Sequence, residues 1–309
     1  MTVTILTPTY NRCAKLPKLY ESLCAQSNRD FEWLVVDDGS TDNTRDLIGG
    51  YEGTAPFTIR YVYKENGGKH TALNQGIEMI DSELTFIVDS DDYLAPDAIE
   101  IILQYHEKYI GKKESEKLCG YSFLRAYSDG RVNVREFPVD EAIDTYRQQR
   151  INNNLLGDKA EVYYTDILKK YPFEVFEKER FMPEDAVWMK MSGPYNMVHI
   201  NKVTYYCDYL EGGLTKTGRK MKVFSPYGMM YRSAVYLNDP DVKFKVKVKM
   251  MLLYQVYSVF AQKRDKELKV SKAAAAEKRN RCRHDSKALA ALLWLPAMAI
   301  YMKWNRQYA

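Results

Sequence analysis

The 309-residue sequence lacks the cysteine spacings that mark a zinc site or a disulfide framework. It has five scattered cysteines, an odd number, and no C-x-x-C pair. Zinc ribbons and small disulfide-rich secreted folds depend on such spacings, so neither class is indicated and a reducing compartment fits best. No basic, apolar and cleavage regions precede the first apparent strand, so we expect no secretory signal.

A long apolar run is also missing. The stretch 288–302 has fifteen apolar residues, which are too few for a comfortable span of a hydrocarbon core about 30 Å thick. Basic residues flank it, and Trp294, Tyr301 and Trp304 are typical of a membrane headgroup interface. We expect segment 288–304 to attach to the inner face of the cell membrane. The alternative is a helix packed on the domain or in a homo-oligomer formed through the C-terminal helices.

The sequence does not have the charge distribution of a nucleic-acid-binding protein. The net charge is +4, but residues 263–309 carry +8 and residues 1–262 carry −4. A mildly acidic body with a basic tail offers no basic face to a polynucleotide, so we expect no nucleic-acid partner.

The first 110 residues alternate between short apolar runs and helical patterns. The strand-like runs are Val3–Leu6, Trp33–Val36, Ile59–Tyr63 and Thr85–Val88. The helical patterns are Lys15–Gln26, Thr44–Gly50 and Thr71–Ile80. Strands that alternate with helices predict an α/β fold with a mostly parallel, Rossmann-like central sheet.

Polar clusters follow these strands. They are Thr7–Arg12, Asp37–Asp42, Glu65–Lys69 and Asp89–Asp92. Ligands of parallel sheets bind at the carboxyl ends of the strands, so the clusters predict a nucleotide-type site at that edge.

The rest of the chain has a different pattern. A hairpin is expected around Ser128–Gly130, with strands Leu118–Tyr127 and Val132–Phe137. Further expected elements are helices at Tyr164–Tyr171 and Glu184–Met191, a strand at Val198–Tyr206, and helices from Ser225 onward. We expect one domain over 1–224 and a helical C-terminal region over 225–309.

The segment Asp89–Asp92 places three carboxylates in four residues after an apolar strand. These charges repel one another unless a cation neutralises them, and hard oxygen ligands favour Mg²⁺ or Mn²⁺. Such a cation would bridge the protein to a diphosphate. The alternative is a solvated acidic loop that caps the helix after Pro96.

The segment Asp37–Asp42 is a second group of polar residues that could bind a ligand. A carboxylate at a strand end can accept a hydrogen bond from a nucleobase N–H or from ribose hydroxyls. Gly39 permits a tight turn, and Thr41 or Asp42 could cap the next helix, which is also the alternative explanation of the motif.

Four segments in this order resemble family 2 glycosyltransferases with the GT-A fold. They are Thr7–Arg12, Asp37–Asp42, Asn66–Lys69 with Ala72, Asn74 and Gly76, and Asp89–Asp92. The resemblance implies a nucleoside-diphosphate sugar donor, with UDP favoured, a divalent Mn²⁺ or Mg²⁺ cofactor, and inversion at the anomeric carbon. Two further segments, Gly157–Tyr163 and Glu211–Thr215, resemble the bacterial subgroup that builds surface polysaccharides. Attachment of the tail to the membrane would bring the active site to a lipid-linked acceptor, so we expect a glycan or lipid-linked glycan as the acceptor.

The resemblance also implies roles for individual residues. It implies that Asp91 and Asp92 hold the metal at a DXD-type motif. It implies that the nucleotide-sugar site contains Pro8, Tyr10, Arg12, Asp38, Asn66, Gly68, Lys69, Asp89 and Ser90. One departure is Leu73, where many relatives have an Arg; Lys69 and His70 are the candidates for the missing polar contact.

The segment Phe181–Trp188 resembles the Glu-Asp motif of the family, which precedes a helix. It implies that Asp185 is the general base that deprotonates the acceptor hydroxyl, with Glu184 as the second candidate. The alternative is ordinary acidity at a helix N-terminus. Glu211–Thr215 resembles a mobile loop near the donor phosphates, with Lys216 or Arg219 as a phosphate contact.

The sequence as a whole predicts an inverting glycosyltransferase for cell-surface glycan synthesis, cytoplasmic and peripheral on the inner membrane face. Two alternatives remain open: a nucleotide-sugar-binding protein without turnover, and a nucleotidyltransferase. The nucleotidyltransferase requires a triphosphate loop rich in Lys and Arg, and residues 7–15 offer only Arg12 and Lys15.

Overall fold

A computed structural model describes residues 1–133, 135–155, 157–207 and 214–308. The chain forms two compact units. The first comprises Met1–Pro172 and Pro194–Asp208, and the second comprises Phe173–Gly193 and Tyr209–Ala309. The domain boundary expected at residue 224 stays a prediction, because compact units describe packing and not independent folding.

The first unit is built on one mixed sheet, which has nine strands among the described residues. They are β1 (Val3–Thr9), β2 (Phe31–Asp37), β3 (Thr58–Tyr63), β4 (Leu84–Ile87), β5 (Tyr93–Leu94), β6 (Leu118–Ala126), β7 (Ala142–Asp144), β8 (Lys159–Tyr164) and β9 (Asn196–Tyr206). The order is β3-β2-β1-β4-β8-β6-β9-β5, and β7 pairs with β9.

Helices connect these strands. They are α1 (Leu16–Cys24), α2 (Thr44–Glu52), α3 (Lys69–Glu78), α4 (Ala98–Tyr109) and α5 (Thr165–Leu168), with a 3₁₀ turn at Ile110–Lys112 and a π-helix at Arg147–Asn152. In α1, Leu16, Leu19 and Leu23 recur on one face and are fully buried. Helix α3 packs closely on β1, since a Cβ at Gly76 would lie 2.3 Å from Cδ1 of Leu6.

The parallel part of the sheet confirms the four strands and three helices predicted from the first 110 residues. Strand β1 is buried along its whole length and pairs in parallel with β2 and β4. Thr9 pairs with Asp37, and Leu6 pairs with Ile87, so the segments that follow these strands leave the same edge of the sheet.

The later strands add antiparallel pairs, so the sheet is mixed and its parallel part is confined to β1–β4 and the β6–β9 pair. Strand β8 was not expected. The predicted hairpin is wrong in its second half: Gly130 lies in a turn, but the described residues of 132–137 form no strand and pair with β6 through one bridge, between Val132 and Ala126. The backbone N–H of Phe137 instead donates to Asn201, so this segment is held by β9.

The second unit is helical, as predicted for the C-terminal region. Its helices are α6 (Asp185–Met191), α7 (Leu214–Phe224), α8 (Pro226–Asn238), α9 (Phe244–Glu267), α10 (Lys272–Arg281), α11 (Lys287–Leu292) and α12 (Trp294–Tyr308). The N-terminus of α8 is capped by the buried Glu179, whose carboxylate accepts the backbone N–H groups of Tyr227 and Gly228 at 2.8 Å each.

Helix α12 packs on α9 through two of the aromatic residues that the sequence predicted at a membrane interface. The Tyr301 ring lies 4.8 Å from Phe260, and the Trp304 ring lies 5.9 Å from Tyr257, measured between centroids. Trp294 is exposed. Within the described ranges, none of the helices combines the length and the apolarity that crossing a bilayer requires.

Candidate active site

The acidic segment Asp89–Asp92 forms a tight turn directly after β4. The backbone N–H of Asp92 donates to the carbonyl oxygen of Asp89 at 3.2 Å. The side chains of Asp89 and Asp91 are about one-third exposed, at 30% and 31%. Asp92 and Ser90 are buried. The turn therefore offers two accessible carboxylates and keeps the third inside.

Two of the predicted cations lie beside this turn. Nζ of Lys69 lies 2.5 Å from Oδ1 of Asp89, and Nη2 of Arg12 lies 3.8 Å from Oδ2 of Asp91. The structure thus brings together residues from the ends of β1 and β4 and the start of α3. Burial opposes ionisation of Asp89, but Lys69 and Arg125 outweigh it and hold its pKa below the usual value.

Arg125 and Tyr205 are parts of this cluster that the sequence did not indicate. The Tyr205 hydroxyl donates to Oδ2 of Asp92 at 2.7 Å and accepts the backbone N–H of Asp89 at 3.0 Å. Nη1 of Arg125 lies 3.6 Å from Asp92 and 3.9 Å from Asp89. Burial, followed by the charge of Asp89, raises the pKa of Asp92 to about 7. The sequence offered one weak signal for Arg125, a charged residue in a strand whose other residues are apolar apart from Ser122 and Gly120.

Asp38, at the end of β2, organises the neighbouring loop. Its Oδ1 accepts from Nζ of Lys64 at 2.7 Å and from the backbone N–H of Gly67 at 2.9 Å, and its Oδ2 accepts from the N–H of Gly68 at 2.7 Å. The residue is only 3% exposed. Asp38 therefore shapes the loop that carries the predicted residues Asn66 and Gly68. Its contact with a nucleobase stays a prediction.

Gly39 allows the loop that carries Asn66 and Gly68 to lie close to the segment after β2. It has φ +86°, and a Cβ there would lie 2.7 Å from the backbone nitrogen of Asn66. A side chain at Gly39 would thus push the two segments apart.

The loops after β1 and β2 are tied to each other. The side-chain oxygen of Asn11 accepts the N–H of Thr41, and the N–H of Asn11 donates to the Ser40 hydroxyl, both at 2.8 Å. Pro8 lies in β1 opposite Val36. Tyr10 is exposed next to this junction. The predicted residues Pro8, Tyr10 and Arg12 thus lie on the same edge of the sheet as Asp38.

His70, at the start of α3, is buried, and burial lowers its pKa to about 4. Its Nδ1 has no hydrogen-bond partner among the parts of the chain that the structure describes. Leu73, which stands where many relatives have an Arg, is fully buried in the core.

The predicted base Asp185 lies in the second unit, as the first residue of α6. Nε of Arg232 lies 2.7 Å from its Oδ1, Nη2 lies 2.5 Å from its Oδ2, and the Tyr236 hydroxyl donates to Oδ2 at 2.7 Å. Burial opposes ionisation, but the charge and hydrogen bonds of Arg232 hold the pKa of Asp185 below its usual value. Glu184 lies at the N-cap position of α6. The catalytic roles of both residues stay predictions.

The predicted phosphate loop falls largely outside the described residues, which resume at 214. Arg219, one of its two cation candidates, has its guanidinium 4.7 Å from the ring centroid of Trp304 within the second unit.

The acidic turn has the right donor chemistry for Mg²⁺ or Mn²⁺, but not a complete set of protein ligands. Across the described ranges, no three His, Cys, Asp or Glu side chains are grouped so as to hold a metal. Such ions often use one or two carboxylates together with waters and substrate phosphates. The accessible Asp91, with the buried Asp92 beside it, therefore has the donor chemistry for a cation that arrives with a nucleotide.

Comparison with known proteins agrees with this geometry. Residues 4–115 match the profile of Glycosyl transferase family 2. The chain is 32% identical over 146 residues to validoxylamine A glucosyltransferase of Streptomyces hygroscopicus subsp. jinggangensis, which covers 46% of this chain and 34% of that protein. The chain spans about a third of the length of the first curated relatives that it matches.

Two solved structures share the fold over almost the whole chain. TarS 1–349 of Staphylococcus aureus has a TM-score of 0.59 and 20% identity, covering 98% of this chain and 88% of that one; it has also been solved with UDP-GlcNAc. The mannosyltransferase PcManGT of Pyrobaculum calidifontis, in complex with GDP-Man and Mn²⁺, has a TM-score of 0.58 and 17% identity, covering 99% and 88%. Residues 4–115 therefore match glycosyl transferase family 2, and the chain has the GT-A fold of these glycosyltransferase structures.

Proposed function

We propose that the protein is an inverting glycosyltransferase that moves a sugar from a nucleoside-diphosphate donor, UDP in the first instance, to an acceptor hydroxyl. One observation carries the proposal: the acidic turn after β4, the Asp38 loop after β2 and the cations Arg12 and Lys69 lie on one edge of the sheet. The family supports a sugar nucleotide as the ligand. The UDP-GlcNAc complex of TarS and the GDP-Man complex of PcManGT support a diphosphate donor.

The proposed reaction is a direct displacement. The acceptor oxygen forms a bond to the anomeric carbon while the bond from that carbon to the diphosphate oxygen breaks on the opposite face. Asp185 takes the hydroxyl proton, a contribution of roughly 10²–10⁴-fold for a positioned base. Glu184 is the second candidate for this step or for acceptor binding.

The donor site would be divided among the strand ends. Pro8, Tyr10 and the Asp38 loop with Asn66 and Gly68 would surround the nucleoside. Asp89 and Ser90 would meet the ribose or sugar, and Lys69 and Arg12 would face the diphosphate charge. Asp91 and Asp92 would hold Mn²⁺ or Mg²⁺, which when bound neutralises the charge that develops on the departing diphosphate.

We also propose that the second unit binds the inner face of the cell membrane, where the acceptor would be a lipid-linked glycan of surface-polysaccharide synthesis. This unit has 24 Lys and Arg against 12 Asp and Glu, a net charge of +12. Residues 286–309 contain no acidic residue. An anionic lipid surface is the partner that complements this charge.

Exposed apolar side chains of the second unit also support an anionic lipid surface as the partner. We define the C-terminal apolar surface as Leu292, Trp294, Leu295 and Met302 of α11 and α12, which are 55–74% exposed. Lys303 and Arg306 are exposed on the same helix. Apolar side chains with basic neighbours are typical of a helix that lies in the headgroup region.

The function is tested by incubating the protein with a panel of nucleotide sugars and Mn²⁺ and measuring release of the nucleoside diphosphate. We expect one nucleotide class to support release, with UDP-sugars first. Absence of both turnover and binding across the whole panel would contradict a transferase. Tight binding without turnover, in the presence of membrane glycolipid extracts, would favour the non-catalytic alternative.

A further inference from the structure

We propose that Tyr205 and Arg125 are positioning residues that hold the Asp89–Asp92 turn in the form that receives the donor diphosphate and its cation. The inference rests on the proposed function, since it assigns residues that support the donor site. Neither residue belongs to the motifs by which the family was identified.

The Tyr205 hydroxyl joins the two ends of the acidic turn. It accepts the backbone N–H of Asp89 at 3.0 Å and donates its own proton to Oδ2 of Asp92 at 2.7 Å. Tyr205 is fully buried, and its ring lies edge-on to Phe86 of β4. A buried phenol with its proton committed to one partner and a lone pair to another has a single orientation. The hydroxyl therefore fixes the distance between the first and last residues of the turn.

Arg125 supports the same turn from the neighbouring strand. It pairs with Tyr205 in the β6–β9 register, and its guanidinium lies 4.0 Å from the centroid of the Tyr205 ring. Its Nε donates to the carbonyl oxygen of Lys159 at 2.7 Å. These two contacts leave Nη1 facing the carboxylates of Asp89 and Asp92 at 3.9 and 3.6 Å. Arg125 thus supplies a fixed positive charge between two like charges that would otherwise repel.

The two carboxylates predicted to hold the metal differ in their surroundings. Asp92 is buried, and one of its oxygens is engaged by Tyr205, whereas Asp91 is partly exposed at the tip of the turn. Groups that orient metal-binding carboxylates through hydrogen bonds typically affect metal affinity or activity by about 10–100-fold. Loss of the Tyr205 hydroxyl is expected to act in that range on binding of the metal–nucleotide complex.

The test is calorimetric titration of the full-length protein with UDP, once with Mn²⁺ and once with EDTA. Tyr205→Phe keeps the ring and removes only the hydroxyl. We expect it to weaken UDP binding in Mn²⁺ by about 10–100-fold and to change binding in EDTA much less. Electron paramagnetic resonance of free Mn²⁺ in the same mixtures gives an independent measure of the metal bound.

The matched control is Tyr121→Phe. Tyr121 is also fully buried in the first unit, and its hydroxyl lies 2.7 Å from the Tyr164 hydroxyl, away from the acidic turn. Tyr121→Phe, like Tyr205→Phe, loses a buried hydrogen bond of the tyrosine hydroxyl. We therefore expect the two variants to lose similar stability, but Tyr121→Phe to keep the wild-type affinity for UDP. For Arg125, the Lys variant keeps the charge and should recover part of the Mn²⁺-dependent affinity that Arg125→Gln loses.

The outcomes separate the two proposals. If the wild type binds UDP in Mn²⁺ and Tyr205→Phe binds it equally well, the positioning role is overturned and the proposed function stands. Equal losses in Tyr205→Phe and Tyr121→Phe also overturn it, because the effect then belongs to buried tyrosines in general. If the wild type binds none of the sugar nucleotides, both proposals fall.

Discussion

Arg232 and Asp185 form a two-point ion pair, in which Nε lies 2.7 Å from Oδ1 and Nη2 lies 2.5 Å from Oδ2. The Tyr236 hydroxyl adds a third donor to the same carboxylate. These partners keep Asp185 ionised, which a general base requires before it takes a proton. They also lower its pKa, which makes it a weaker proton acceptor. The proposed role of Asp185 as the base and the contribution of the ion pair to stability can be tested separately.

The proposed catalytic role predicts a loss of transfer in Asp185→Asn. We expect the transfer rate to fall at least about a hundredfold, since the amide cannot accept the proton, while UDP affinity stays within about twofold. Nucleoside diphosphate release and calorimetry measure the two quantities. Glu184→Gln is the neighbouring control and should lose less activity. Equal rates in Asp185→Asn and wild type would remove Asp185 as the base.

The structural consequence is a loss of stability in Arg232→Met. This variant leaves a largely buried carboxylate without its cation, and the penalty for breaking such a pair is about 3–5 kcal/mol. Urea unfolding followed by circular dichroism measures the free energy of unfolding. The double variant Asp185→Leu with Arg232→Met should regain much of the loss, because no unpaired charge remains. A single variant as stable as the wild type would show that the pair contributes little.

A third prediction concerns His199, which is fully buried with its Nε2 3.1 Å from the carbonyl oxygen of Asp144. Burial lowers its pKa to about 4, against 6.5 for an exposed His. Between these values the unfolded chain binds a proton that the folded chain refuses, so stability falls as the pH drops from 6.5 towards 4. The loss from this residue approaches about 1.4 kcal/mol per pH unit.

The comparison that isolates His199 is His199→Gln, whose amide can still donate to Asp144. Urea unfolding at several pH values between 7.5 and 4.5 should show the variant gaining on the wild type as the pH falls. Parallel stability curves for the two proteins would mean that His199 does not titrate in this way.

A fourth prediction concerns the C-terminal apolar surface. Leu295→Glu places a negative charge at its centre and should greatly reduce co-sedimentation with phosphatidylglycerol vesicles. Val139→Glu is the matched control, because Val139 is similarly exposed but lies in the first unit. It should bind vesicles like the wild type. Binding that is equal for anionic and phosphatidylcholine vesicles would contradict the charge argument.

The same variants distinguish a protein partner from lipid. If Leu295→Glu leaves vesicle binding unchanged but converts a dimer to a monomer in light scattering, a second copy covers the surface. That result would replace the membrane proposal with the homo-oligomer that the sequence also allowed.

The sequence predicted β1–β4 well because each strand carries its own signal: an apolar run, a following polar turn and a helix. Strand β8 has a weaker pattern, since it begins with Lys159. The amine of Lys159 is buried and donates to the carbonyl oxygen of Arg135, a partner that only the folded chain supplies. The second hairpin strand failed for a similar reason, because Asn201 binds the backbone of Phe137.

The candidate site also combines residues that the sequence indicated with residues that depend on long-range contacts. Asp38, Asp89 and Asp91 were visible as motifs because they lie in short turns directly after apolar strands. Arg125 and Tyr205, which contact Asp89 and Asp92, depend on the pairing of β6 with β9, and the two residues are about eighty positions apart in the chain. Arg232 is likewise far from Asp185 in sequence. Long-range pairing leaves little local signal, so the structure was needed to place these residues at the site.

The most direct test of the account is the rate of nucleoside diphosphate release by a double variant, Asp91→Ala with Asp92→Ala, with its preferred donor and acceptor. We expect a loss of at least about a hundredfold relative to the wild type, with a comparable loss when EDTA is added to the wild type. Release at the wild-type rate by the folded double variant would contradict the claim that the turn after β4 receives the donor.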